Sequence, residues 1–268
     1  MDFWQIQQQE LRKALSYRRL VSYRISNGDS HADIFGNYLW NIALSECFYP
    51  LLQSYEITLR NHFDHAIYCV YGEDWLVPTT KAHLFLCDKD REKIQKIIQS
   101  QGRDLRHNQI LSSLTLGFWT ALSYREYEHK QKLYPVLFKN KDFMPQLPRS
   151  LRTRAILSNT LGDINKFRNK IFHHEPICNN SKIKQQHDKI LQVIGWMSPT
   201  IAEITGNLSR FDEVQKSRDE YLQMARELLK EKTRVKSAKT FSTLIWHRYL
   251  SALNFLWKEK LNFFIDER

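Results

Sequence analysis

The chain has 268 residues, 42% of them hydrophobic and 13% aromatic, which excludes a disordered protein and allows one large domain or two small ones with buried cores. Lysine and arginine number 40 against 29 aspartates and glutamates, a formal charge of +11. That surplus favours phosphates, RNA, DNA or an anionic lipid face over acidic proteins as partners, with a merely soluble basic surface as the plainer alternative.

Only 8 Gly and 7 Pro occur, too few for the tight turns of a many-stranded sheet, so a mostly helical chain is expected. The start, Met1-Asp2-Phe3-Trp4-Gln5, lacks the basic and apolar regions of a secretory signal. Residues 1–30 begin polar and helical, with Trp4, Leu11, Leu15 and Leu20/Val21 near helical spacing, and end in the turn cluster Ser26-Asn27-Gly28-Asp29-Ser30. Tyr38, Leu39, Ile42 and Ala43 open a second helical pattern. Pro50 interrupts it, by a kink or as the first residue of a new helix. The stretch Tyr38–Leu52 is the longest that looks apolar, but it carries Asn41, Ser45 and Glu46 and is too short to span a bilayer. No membrane association is expected.

From Leu51, apolar residues recur every three or four positions: Leu52, Tyr55, Leu59, Phe63, Ala66/Ile67 and Val70. Gly72 is placed to end that helix. Asp74–Pro78 reads as a loop anchored by Trp75. Asp88–Gln101 reads as a charged helix, and Gly102–Asn108 as a basic connector. Ile110–Leu122 reads as one helix with Gly117 inside it, at a cost of about 1 kcal/mol against alanine unless packing needs the close approach. Leu133–Pro148, with three prolines, reads as a loop. Leu151–His174 is the strongest helix, with the stripe Leu157, Leu161, Ile164, Phe167/Arg168 and Ile171, closed by Pro176. Ile183–Ile204 reads as another amphipathic helix, broken if anywhere at Pro199.

Beyond Gly206 the composition shifts. Residues 209–240 are dense in alternating charge, with a basic excess over 230–236, and Phe241–Phe264 is rich in aromatics, Trp246, Tyr249, Phe255 and Trp257 among them. Two units are expected, a helical domain over 1–205 and a helical C-terminal extension over 206–268. Cys47, Cys69, Cys87 and Cys178 are scattered, which suits neither a zinc site nor a disulfide framework. Free thiols in a reducing cytoplasm are expected.

The segment that bears on chemistry is Phe167-Arg168-Asn169-Lys170-Ile171-Phe172-His173-His174-Glu175-Pro176-Ile177. At about 100° per residue, Asn169 and His173 share one face, and Arg168 lies about 140° from His173 with Asn169 between them. The trio suits phosphodiester chemistry. An imidazole can take a proton from a 2′-hydroxyl or give one to a leaving oxygen. A guanidinium offers a fork to the non-bridging phosphate oxygens where charge grows. A carboxamide can orient either. No metal is required. The helix C-terminus beside His173 favours imidazolium, hence a share of general acid in its role. The plain alternative is that Arg168 and Lys170 are solvated charges and the histidines merely end a helix. The run His173-His174-Glu175 fits no metal-ligand spacing, because adjacent helical histidines diverge by about 100°. Neither a phosphate-binding glycine loop nor a dinucleotide fingerprint is present.

The string Arg-Asn-x-x-x-His-His-Glu-Pro-Ile resembles the signature of the abortive-infection (Abi) type proteins in the HEPN superfamily, helical ribonucleases bearing R-x4-6-H. Glu56-Ile57-Thr58-Leu59-Arg60-Asn61 is similar to that family's E-x-x-L-R-N helix. Asp74-Trp75 is similar to its following tryptophan, and Leu116-Gly117-Phe118-Trp119 to its F-G-F-W segment, with Leu116 in place of the first aromatic. The resemblance spans roughly residues 38–205. It implies an all-α HEPN-type bundle and a metal-independent endoribonuclease with no cofactor, acting as a toxin or phage-defence effector. It also implies a composite active site where two R-x4-6-H motifs meet across a homodimer, and an antitoxin protein or cognate structured RNA as restraint. Carried over, Arg168, Asn169 and His173 are the catalytic set. Glu56, Arg60, Asn61, Lys170 and His174 support it or bind RNA, with Glu56 and Arg60 able to pair at i and i+4. A HEPN-fold binding module without catalysis is the competing implication. Arg60-Asn61-His62-Phe63-Asp64-His65 also reads R-N-x-x-x-H and could make the site intramolecular. Coincidence is preferred, because that arginine belongs to the E-x-x-L-R-N helix.

Overall fold

A computed structural model describes residues 10–11, 13–78, 85–102, 105–129 and 133–231. Trp4, most of the basic run after 230 and the aromatic segment 241–264 lie outside the described residues. The described chain is all-α, with twelve α-helices and no strand among those residues. In chain order they are α1 (Tyr17–Val21), α2 (His31–Tyr71), α3 (Asp88–Gln101), α4 (His107–Ser113), α5 (Leu116–Ala121), α6 (Glu126–His129), α7 (Leu133–Lys139), α8 (Arg154–Phe172), α9 (Ile183–Met197), α10 (Pro199–Asn207), α11 (Phe211–Lys216) and α12 (Arg218–Glu231). None of the described helices is long and apolar enough to cross a membrane.

The spine is α2, whose 41 residues give a rod about 60 Å long. It starts earlier than the apolar pattern implies, at His31. A capping box starts it: Ser30 Oγ accepts from the Asp33 N–H at 3.2 Å, and the Asp33 carboxylate accepts from the Ser30 N–H at 3.0 Å. Pro50 lies inside this single helix and does not divide it. A proline in a helix interior costs about 3 kcal/mol. Burial of Phe48, Leu51, Leu52 and Tyr55 around it offsets that cost, at about 1.5–3 kcal/mol per large side chain. Gly72 ends the helix with φ +87°, a conformation other residues adopt only under strain.

Three expectations change in the folded chain. Leu133–Lys139 is helical rather than loop. Pro135 is its third residue, within the first turn where no N–H has an intrahelical acceptor, and Leu133, Tyr134 and Leu137 are buried. Ile110–Leu122 splits into α4 and α5 because Leu114 and Thr115 are both extended. Gly117 then falls in the first turn of α5 rather than in a helix interior. Ile183–Ile204 breaks where Pro199 allowed it. Ser198 caps α10 by accepting from the Ile201 N–H at 3.3 Å, with Pro199 as the first helical residue.

Around the spine pack α5, α7, α9, α10, α11 and α12, with α12 against Asp33, Gly36 and Asn37 near its start, α9 and α11 against Phe48 and α10 against Ser54. The contact with α12 is close. A Cβ built on Gly36 would lie 2.8 Å from Leu222 Cα. Polar ties flank it: Trp40 Nε1 donates to the Val214 carbonyl at 2.7 Å, Arg218 Nε to Asn37 Oδ1 at 3.0 Å, and the Arg226 guanidinium to Asp33 at 2.6 and 3.0 Å. Burial alone would raise the Asp33 pKa. The hydrogen bonds from Ser30 and Arg226 outweigh it and hold the carboxyl below the ordinary range. Phe211, Val214, Leu222, Ala225 and Leu229 are buried, so residues 211–231 contribute to the packing of α2.

Candidate active site

The helix α8 carries the segment singled out by its sequence. Thr153 caps its start, its side chain accepting from the Ile156 N–H at 3.3 Å. Leu157, Thr160, Leu161, Ile164, Phe167 and Ile171 form its buried face, the stripe expected from the spacing. Phe167 meets Phe48 of α2 edge-on at 4.9 Å between ring centroids, and Phe48 meets Phe211 at 5.3 Å in the same way. This aromatic cluster fixes α8 against the spine. Once that face is committed, the 3.6-residue period turns Arg168, Asn169, Lys170, Phe172 and His173 outward.

The end of α8 is tightly specified. The Glu175 N–H donates to the Lys170 carbonyl at 2.8 Å and the His174 N–H to the Ile171 carbonyl at 2.9 Å. This six-to-one and five-to-two pair is a Schellman motif, and it requires a left-handed residue between the two donors. Glycine usually fills that place, but here His174 does, at φ +56°, at a cost of roughly 1 kcal/mol. Pro176 follows and prevents the helix from resuming. Beyond it, Asn41 Oδ1, on the buried side of α2, accepts from the N–H groups of Ile177 at 2.7 Å and Cys178 at 3.0 Å. The neighbouring Cys178 is buried, and that burial pushes its thiol up to about 11.

Arg168 is half-buried. Its Nη2 lies 3.6 Å from a Glu56 carboxylate oxygen, its Nη1 3.5 Å from Asn169 Oδ1, and its guanidinium carbon 3.9 Å from the centre of the Phe172 ring. Its Nε is buried without a hydrogen-bond partner. The polar contacts are at or beyond the limit of a hydrogen bond, so the outer donors are held in place but weakly engaged. Phe172 is itself exposed, 6.5 Å from the exposed Tyr49 ring on α2. His173 is the C-cap residue. It is exposed, and no hydrogen bond or ion pair of its ring occurs among the described residues. The arginine leans toward Glu56 of α2, while the histidine ring is exposed at the helix end.

The supporting residues divide. Glu56 reaches Arg168 across the two helices and forms no ion pair with Arg60, contrary to the i, i+4 pairing that the sequence allowed. Arg60 Nε instead donates to Asn61 Oδ1 at 3.4 Å. Asn61, Lys170 and His174 have exposed side chains. In the second R-N-x-x-x-H string, His65 lies nine residues beyond Glu56, about 14 Å along the helix axis. It faces Asp142 at 3.9 Å, the Cys69 sulfur at 3.8 Å and the Tyr68 ring at 6.4 Å. No contact joins it to Arg168, Asn169 or His173 among the described residues. No cluster of three or more His, Cys, Asp or Glu suited to a metal occurs among the described residues.

The sequence did not single out Phe172, Asn41, Arg19 or Tyr23. Phe172 was findable, since it stands at i+4 from Arg168. Asn41 carried a signal as a carboxamide inside an apolar run. Arg19 and Tyr23 carried none: the Arg19 guanidinium and the Tyr23 hydroxyl, the latter at 3.1 Å, donate to the His174 carbonyl more than 150 positions away. No family model, curated protein sequence or solved structure matches this chain.

Proposed function

We propose that the protein is a metal-independent endoribonuclease of the HEPN kind, acting in the cytoplasm as a toxin or phage-defence effector. One observation carries this reading: a single helix end brings a half-buried, weakly engaged guanidinium and a partly exposed carboxamide next to an exposed imidazole. In the proposed reaction the 2′-hydroxyl of RNA attacks the adjacent phosphorus. The bond to the 5′-oxygen breaks, leaving a 2′,3′-cyclic phosphate and a 5′-hydroxyl. One proton leaves the 2′-oxygen and one reaches the 5′-oxygen, and imidazole is suited to both transfers. Arg168 and Asn169 neutralise and orient the non-bridging oxygens. No cofactor takes part.

A homodimer supplies what one chain lacks. Arg168 is half-buried and leans toward Glu56, whereas His173 is exposed at the helix end. A second copy across a two-fold axis brings the partner subunit's His173 toward Arg168 and closes the groove. The net charge of +11 draws RNA to it, with affinity that falls as salt rises. An activity of this kind calls for restraint by an antitoxin protein or a cognate structured RNA.

The test is growth of a host expressing the wild type, His173→Ala or Arg168→Ala, and then the two variants together. Growth arrest by the wild type, relief in each variant alone and partial arrest in the mixture are expected, since mixed dimers restore one full set per pair of sites. Equal harmlessness of wild type and variants, with RNA binding retained, would establish the non-catalytic binding module instead.

A further inference from the structure

The turn that ends α8 is held from outside as well as from within. The His174 carbonyl and the Glu175 N–H belong to one planar peptide unit. On its N–H side the Lys170 carbonyl accepts at 2.8 Å. On its carbonyl side both lone pairs are taken, one by the Arg19 guanidinium and one by the Tyr23 hydroxyl at 3.1 Å. Three residues on, Asn41 takes the N–H groups of Ile177 and Cys178. A left-handed non-glycine residue persists where its surroundings over-determine it, and such strain gathers at functional sites. Here the strained residue adjoins His173.

The two donors differ in kind. Both come from the short helix α1 and the turn after it, and α1 buries none of its five residues. Tyr23 is buried, edge-on to Tyr38 at 5.1 Å. Arg19 is exposed, and a charge-assisted bond from an exposed arginine adds orientation more than packing. We infer that Arg19 and Tyr23 are positioning residues for the proposed reaction: through the His174–Glu175 peptide they fix the turn that aims the His173 ring. This rests on the nuclease reading for its consequence, but its geometric part can be measured without any activity.

The experiment uses the full chain with Arg19→Gln, Arg19→Lys and Tyr23→Phe, the last keeping the buried ring. Amide hydrogen exchange at Glu175, followed by NMR at fixed pH, is expected to quicken roughly tenfold in Arg19→Gln and Tyr23→Phe, with Arg19→Lys partly restoring protection. On an RNA substrate, kcat is expected to fall roughly tenfold in the same two variants while KM holds. Placed in an H174G background, Arg19→Gln is expected to cost less than it does alone, because glycine holds the left-handed turn unaided. Unchanged Glu175 exchange in both variants overturns the inference, as does a raised KM with kcat intact, which would make Arg19 an RNA-binding residue. A wild type that cuts no RNA defeats the nuclease reading instead, and the exchange rates still decide whether the clamp exists.

Discussion

Arg168 shows how much a single side chain is asked to do. Its fork reaches Glu56 and Asn169 at 3.6 and 3.5 Å while its flat face lies 3.9 Å over Phe172. A lysine keeps the charge but neither the fork nor the stacking plane. Arg168→Lys is therefore expected to lower kcat/KM for RNA roughly 100-fold or more, while thermal melting shifts little, since a half-exposed ion pair contributes at most about 1 kcal/mol. A variant that cuts RNA at the wild-type rate would remove Arg168 from the chemistry. That Arg168, Asn169 and His173 lie off the buried stripe of one helix was legible in the chain, because a helical period converts spacing into direction. Their partners were legible only in part. The spacing of Glu56 and Arg60 offered a pair within α2, whereas the folded chain turns Glu56 across to α8, a choice that depends on which helices pack together.

The helices themselves followed their sequence wherever local chemistry decides. Ser30 with Asp33, Gly72, and Ser198 with Pro199 mark the boundaries that caps and backbone freedom impose. Local rules misled where burial outweighs them, at Pro50 inside α2, and where a proline falls in a first turn, at Pro135 in α7. Gly36 is the opposite case, a residue whose meaning is set by a neighbour nearly 190 positions away. Its missing side chain lets the backbone of α12 approach, with a built Cβ 2.8 Å from Leu222 Cα and 3.0 Å from the Tyr221 carbonyl oxygen. Gly36→Ala is expected to destabilise the protein by about 1–3 kcal/mol despite better helix propensity. Gly162→Ala in α8, with nothing within 4 Å of a built Cβ, is expected to stabilise it by up to about 1 kcal/mol. Urea unfolding of the two variants checks the signs, and a stabilised Gly36→Ala would mean that α12 is not seated on α2 in solution.

Taken as one body, the described chain folds around a single long helix, and the turn after α8 gathers hydrogen bonds from distant parts of the sequence. The composition anticipated an all-α architecture, since few glycines and prolines and a helical apolar period leave little room for a sheet. It could not show that 211–231 would pack on the first half of α2, or that Arg19 and Tyr23 would reach the turn after His173. Those contacts join surfaces that exist only once each helix has formed. The proposed activity requires an imidazole and a guanidinium at one helix end to break RNA. The most direct measurement incubates purified wild type and His173→Ala with RNA in excess chelator and identifies the new ends. Cleavage by the wild type to 2′,3′-cyclic phosphate and 5′-hydroxyl ends is predicted, with a loss of about 1,000-fold or more in a His173→Ala protein that melts with the wild type. No cleavage, or cleavage that His173→Ala leaves intact, would contradict it.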